Sequence, residues 1–152
     1  MRWTERPPFD IRHEYARWGL APPVASPSPW AQWRISSENS TFRLCPTYPP
    51  YVVVPAAIHD AAVARIAAYR SQGRLPVATW LRESQGRIVA LLRSGQPLVG
   101  IMNARCTEEE ILVREVRASS GKPRLHIFDA RSRAVALTNK AAGGGFENIG
   151  TL

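Results

Sequence analysis

Apolar residues recur with a helical period in several stretches of this chain. Ile11, Tyr15 and Trp18 fall on one face of a short helix that Asp10 can cap and Gly19 can end. Ile58 to Gln72 predicts a second helix, with Val63, Ile66 and Ala67 on its inner face, Asp60 as cap and Gly73 as terminator. Thr107 followed by Glu110 has capping-box spacing and opens a helix whose Ile111, Leu112 and Val116 point inward. The glutamates of that first turn also suit the positive end of the helix dipole. Arg133 to Ala141 predicts a last helix, ahead of a run of glycines at Gly143 to Gly145.

Between the helices, alternating or β-branched runs predict strands. WRISSENSTFRLC, Trp33 to Cys45, reads as two strands around a polar tip at Ser37 to Ser40. Tyr51 to Val54 suits a buried strand after Pro46, Pro49 and Pro50 interrupt the chain. Leu75 to Leu81 and Arg87 to Leu92 predict a hairpin turning at Glu83 to Gly86, and Leu125 to Phe128 a last strand. Met1 to Pro8 reads as a loose lead-in. Ala21 to Pro29 holds Pro22, Pro23, Pro27 and Pro29, an irregular connector. Strands mixed with helices, closing on a strand-loop-helix unit, predict an α/β fold.

Composition narrows the picture. At 152 residues the chain is one domain at most, and a hydrophobic content of 45% is that of a folding chain. No stretch approaches the roughly 18 apolar residues of a membrane span, and residues near the N-terminus do not form a signal peptide. Cys45 and Cys106 are far apart and lack a C-x-x-C partner, which predicts free thiols in a reducing compartment. A net charge of +8 predicts attraction to polyanions, although scattered arginines also make an ordinary solvated surface. The basic residues form no run, and no nucleic-acid-binding motif accompanies them.

Asp129 is the sharpest candidate for chemistry, because it sits where a predicted strand ends and a loop begins. A carboxyl there could act as general acid or orient a phosphate-binding loop; it could equally cap the following turn. Asn139 offers a donor and an acceptor for a hydroxyl or a phosphate oxygen, or simply faces water. Gly143 to Gly145 could permit close backbone approach or form a plain turn. Arg93 to Gln96 lacks the strand-loop-helix context of a phosphate loop and reads as structural, and Arg131 as a support for its own loop. His13, His59 and His126 are too dispersed to predict a metal site, and no cofactor is expected.

Several blocks together resemble the myotubularin family: IFDAR (Ile127 to Arg131), NKAAGGGFE (Asn139 to Glu147), CPTYPPYVVVP (Cys45 to Pro55), YRSQGRLPVATW (Tyr69 to Trp80), RSGQPLVG (Arg93 to Gly100) and RCTEEE (Arg105 to Glu110). FDIRHEYARWGL (Phe9 to Leu20) and WRIS (Trp33 to Ser36) continue the likeness, which runs from about Trp3 to Glu147. The resemblance implies phosphatases that remove the 3-phosphate of phosphoinositides through a cysteine nucleophile. It further implies that residues 1–152 are the N-terminal portion of one phosphatase domain: a partial cysteine-phosphatase fold, with a mixed sheet flanked by helices, incomplete without the rest. Within it Asp129 would lie at the active site in an assisting role, and Asn139 would line the substrate pocket.

Three features depart from the family. No pleckstrin-homology-type domain precedes the match, the Ala21 to Gln32 connector is long, and the signature loop His-Cys-Ser-Asp-Gly-Trp-Asp-Arg is absent. Counting on from Cys45 and Cys106, the arginine position of a C-x5-R loop is filled by Tyr51 and Leu112. The chain alone is therefore expected to be inactive. Its partners would be a phosphoinositide headgroup or a membrane surface, with homo- or hetero-oligomers among family members, and its location cytoplasmic and peripheral on endosomal-type membranes. The other reading is a non-catalytic module that binds a partner phosphatase or an anionic membrane. Nucleic acid is disfavoured, since only charge supports it.

Overall fold

The structure is a computed structural model that describes residues 10–20, 28–100 and 102–147. Helix α1 (Ile11–Arg17) forms as its pattern predicts. Asp10 accepts from Arg12 N at 2.9 Å, Tyr15 is buried, and Ile11 and Trp18 pack against the core. The chain leaves the helix at Gly19 with φ +102, a left-handed value that favours glycine. Residues 21–27 of the predicted connector lie outside the described residues, as does the lead-in. Its end, Pro29–Gln32, is a 3-10 turn capped by Ser28.

Strand β1 (Trp33–Ser36) pairs antiparallel with β2 (Val52–Pro55), from Trp33 opposite Pro55 to Ser36 opposite Val52. The strand predicted after Ser40 is not there. The cause is Asn39, which the sequence pattern placed at a polar tip and the structure buries completely. Its amide nitrogen donates to the carbonyls of Cys45, Tyr48 and Pro49, and its Oδ1 accepts from Cys45 N at 2.9 Å. A side chain that satisfies these backbone groups replaces the strand ladder with an ordered loop, so β1 finds its partner beyond the prolines. All of β2 is buried, as its β-branched run predicts, although the strand begins one residue later than Tyr51.

Helix α2 (Asp60–Tyr69) buries Ala62, Val63, Ile66 and Ala67. Asp60 does not cap it. Arg34 Nη2 at 2.7 Å and Ser36 Oγ at 3.0 Å draw the Asp60 carboxylate across to β1, and the cap falls to His59, whose Nδ1 accepts from Ala62 N. The helix ends at Tyr69, before Gly73, because Arg70 turns into extended backbone ahead of a 3-10 turn at Ser71–Gly73.

The predicted hairpin is present as β3 (Val77–Ser84) and β4 (Arg87–Arg93), antiparallel with an irregularity between Ala78 and Trp80. Its turn is Gln85–Gly86, both at positive φ, the tight form that matches strand twist. Leu81 and Ile88 point into the core. Helix α3 (Thr107–Ser120) buries Leu112 and Val116, while Ile111 is half-buried. The capping box does not form. The helix begins at Thr107 with Cys106 in the cap position, and Arg105 takes the Glu110 carboxylate at 2.7 and 2.8 Å.

Leu125 to Phe128 is not a strand. Among the described residues nothing pairs with it, and Phe128 stands 89% exposed. Helix α4 (Arg133–Ala141) has the predicted bounds and is capped by Ser132. Helices and strands thus mix as an α/β reading requires, with the strands in two small antiparallel sheets. The core lies where β2 packs on β3 and α3, and α2 on α3. No helix among the described residues is long and apolar enough to cross a membrane.

Asn39 predicts a measurable cost. Asn39→Ala strips three carbonyls and one N–H of their partner, and should lower stability by about 2–4 kcal/mol in urea unfolding. A loss under about 0.5 kcal/mol would mean that water or backbone shifts satisfy those groups.

Candidate functional site

Four chain segments meet around Arg70, which is 3% exposed at the end of α2. Its guanidinium donates to Gly95 O at 2.7 Å and to Glu147 at 2.5 and 3.0 Å, and it also pairs with Glu109. Backbone bonds fasten the same region: Ser71 N to Gln96 O at 2.9 Å, Leu98 N to Tyr69 O at 2.8 Å and Gly100 N to Gly144 O at 3.1 Å. Burial works against the Arg70 charge, yet the hydrogen bonds and charges of Glu147 and Glu109 hold its pKa above the ordinary value. Glu109 is only 5% exposed, and burial pushes its carboxyl up to about 7 although Arg70 pulls the other way. Two carboxylates beside one guanidinium raise Arg70, while burial outweighs the pull of Arg70 on Glu109.

Beside this hub lies the Asp129 loop. Arg131 donates to Asp129 through its backbone N at 2.9 Å, Nε at 2.9 Å and Nη2 at 2.7 Å. The same guanidinium reaches Gly145 O at 2.9 Å and the Gln96 side chain, with its carbon 6.0 Å from the Phe146 ring centre. Arg131 thus supports its loop, as the sequence predicts, and also ties that loop to the glycine run. Its hydrogen bonds hold Asp129 below the ordinary carboxylate range. A carboxylate so held suits positioning better than proton donation.

The glycines permit close approach. A Cβ on Gly145 would sit 2.0 Å from Val99 Cγ2, and one on Gly144 2.7 Å from Gln96 Nε2. Segment 95–99 is therefore structural, pressed between α2 and the glycine run, in line with the reading of Arg93 to Gln96.

Between these walls opens a cleft of about 340 Å³, lined by Val99, Asn103, Lys140, Phe146 and Glu147. Lys140 and Asn103 give it an ammonium and an amide, donors suited to an anionic or hydroxylated ligand. Asn139 is half-buried on α4 and precedes Lys140, but its side chain does not line the cleft. The structure thus brings Asp129 to the edge of a built polar cluster and leaves Asn139 one residue away from its opening.

The cluster holds no nucleophile. Cys45 is fully buried under the Asn39 loop, and burial pushes the Cys106 thiol up, opposite to what an attacking thiolate needs. His126 stacks on Phe128 at 6.5 Å on the exposed segment, and His59 caps α2.

Arg70, Glu109, Glu147 and Lys140 were not expected from the sequence. A signal existed for two of them. Arg70 follows Val63, Ile66 and Ala67 at helical spacing, and Glu109 precedes Leu112 and Val116 in the same way, so each charge lies on an apolar stripe.

The family model for the myotubularin-like phosphatase domain matches residues 3–151, nearly the whole chain and all of this cluster. The chain belongs to the myotubularin family. It is 40% identical over 142 residues to myotubularin of Xenopus laevis, covering 92% of this chain and 22% of that protein. The phosphatidylinositol-3,5-bisphosphate 3-phosphatase MTMR2 of Bos taurus is 39% identical over 142 residues, with 92% and 20% covered. Human myotubularin-related protein 9 is 43% identical over 117 residues, with 77% and 21% covered. The chain thus spans about a fifth of the length of these relatives.

Two predictions follow from the Arg70 hub. Arg70→Leu strands a buried Glu109 and should cost about 3–5 kcal/mol, of which Arg70→Leu/Glu109→Leu recovers part. The second concerns pH. Because the folded-state value of Glu109 lies above the ordinary 4.5, the folded protein holds more protons than the unfolded chain between pH 4.5 and about 7. Stability should fall as pH rises through that window, and Glu109→Gln should flatten the dependence in thermal melts. An unchanged pH slope in Glu109→Gln would assign the titration to another group.

Proposed function

We propose that the chain is the N-terminal portion of a single phosphatase domain acting on 3-phosphorylated phosphoinositides, phosphatidylinositol 3-phosphate or 3,5-bisphosphate. The observation that carries this reading is the family match over residues 3–151, which includes the Asp129–Arg131–Gly145 cluster. In this reading the fold is cysteine-phosphatase-like, and a Cys-x5-Arg loop supplies the thiolate that attacks the 3-phosphate and the arginine that cradles its oxygens. No such loop occurs in residues 1–152, so these residues alone carry no covalent route. Asp129, fixed by Arg131, orients the phosphate-binding loop, and Asn139 serves the headgroup together with Lys140. The exposed Leu125 to Phe128 segment supports the same idea: Leu125, Ile127 and Phe128 stand in solvent without a strand partner among the described residues, open to a further part of the domain.

A second reading rests on those exposed apolar residues: a non-catalytic module that pairs with an active phosphatase or with an anionic membrane. Both readings place the protein in the cytoplasm, peripheral on endosomal-type membranes, and both allow homo- or hetero-oligomers.

Phosphate release from phosphatidylinositol 3-phosphate tests the first reading. Residues 1–152 should release no more than their own Asp129→Ala variant, and release well above that control would overturn the division of labour. In a longer protein carrying the Cys-x5-Arg loop, Asp129→Asn should lower kcat by about 10²-fold or more. Asn139→Ala there should raise KM by about tenfold with little change in kcat.

A further inference from the structure

The β3–β4 hairpin buries one face and leaves the other bare. Leu81 and Ile88 enter the core, with Ala90 and Leu92 packed against it. On the opposite face Trp80 stands across from Leu91, and Arg82 across from Val89. Trp80 is 42%, Val89 45% and Leu91 61% exposed. A near-continuous apolar strand such as Ile88 to Leu92 is the pattern of a sheet covered on both sides.

The surround of this patch says what could cover it. Arg82 and Arg87 lie toward the turn and Arg93 at the other end, all exposed, and within the hairpin only Glu83 opposes them. Arg87 leans on Gly121 O at 3.2 Å. No ion pair engages Arg82 or Arg93 among the described residues. An indole beside aliphatic side chains, ringed by cations, matches an anionic lipid surface: the apolar centre enters the acyl boundary while the guanidinium groups meet headgroup charge. Nucleic acid would call for stacked aromatic rings, and here Trp80 stands among aliphatic neighbours. The chain's net charge of +8 acts in the same direction.

We infer that the outer face of the β3–β4 hairpin, centred on Trp80 and Leu91 and rimmed by Arg82 and Arg93, docks onto anionic membrane. This inference rests on the membrane reading above and names the surface that performs it. It is independent of catalysis. β4 also leads straight into the Gln96 segment that Arg131 grips, so a docked hairpin would hold the candidate site near the lipid plane.

The test uses residues 1–152 with vesicles of phosphatidylcholine alone, or with about one quarter phosphatidylserine, a lipid that is no substrate for a 3-phosphatase. Flotation should show binding only to the anionic vesicles, weakened at about 0.5 M salt. Leu91→Glu should reduce binding by about tenfold, and Arg82→Ala and Arg93→Ala by about fivefold each, while Arg133→Ala on α4 leaves it unchanged. Brominated lipid should quench tryptophan emission in the unaltered protein and quench it much less in Trp80→Phe, a readout that needs no folding-sensitive variant. Binding that ignores the hairpin variants would overturn the docking face and leave the membrane reading standing. No binding to either vesicle would overturn both. Hairpin-dependent binding to an RNA oligonucleotide, with no affinity for lipid, would replace lipid by nucleic acid.

Discussion

The arrangement around the candidate site depends on one buried cation. Arg70 closes α2, accepts no solvent to speak of, and holds Gly95, Glu109 and Glu147 at once. Taking a guanidinium and a carboxylate out of water is costly, and only good geometry and full hydrogen bonding offset it. That requirement is a constraint on everything attached. The N-terminal turn of α3, the segment after β4 and the chain after the glycine run can be displaced only by stranding a charge. Three distant parts of the sequence thereby acquire one fixed relation.

Arg131 repeats the device at the surface with a different purpose. Its guanidinium serves Asp129, Gln96 and Gly145 together, so the loop after the exposed Leu125 to Phe128 segment is anchored although the segment has no ladder. The two arginines meet the same pieces of chain, segment 95–96 and residues 145–147, from two sides. Between them the cleft with Lys140 and Asn103 keeps its shape because Gly144 and Gly145 let the backbone approach Gln96 and Val99. The cluster is rigid polar scaffolding without a nucleophile.

The apolar surfaces left open are also informative. Phe128 and the hairpin face with Leu91 are both exposed: the first precedes the loop in which Arg131 holds Asp129, the second carries a rim of arginines.

Periodicity by itself determined much of this protein. α1, the β3–β4 hairpin and α4 are local: each is decided by residues a few positions apart, a cap, a turn, an apolar stripe. The family could also be read from the order of its motifs, IFDAR and NKAAGGGFE above all. What tertiary structure decided were the competitions for polar groups. Asp60 and Glu110 looked like caps and were claimed by Arg34 and Arg105. Asn39 looked like a turn tip and became the buried anchor of the 37–51 loop. Arg70 and Glu109 sat on apolar stripes, a visible oddity whose meaning needed the partner chain segments. A hydrogen-bonding side chain goes to whichever satisfied, desolvated site it can reach, and reach is a property of three dimensions that neighbours in sequence do not set.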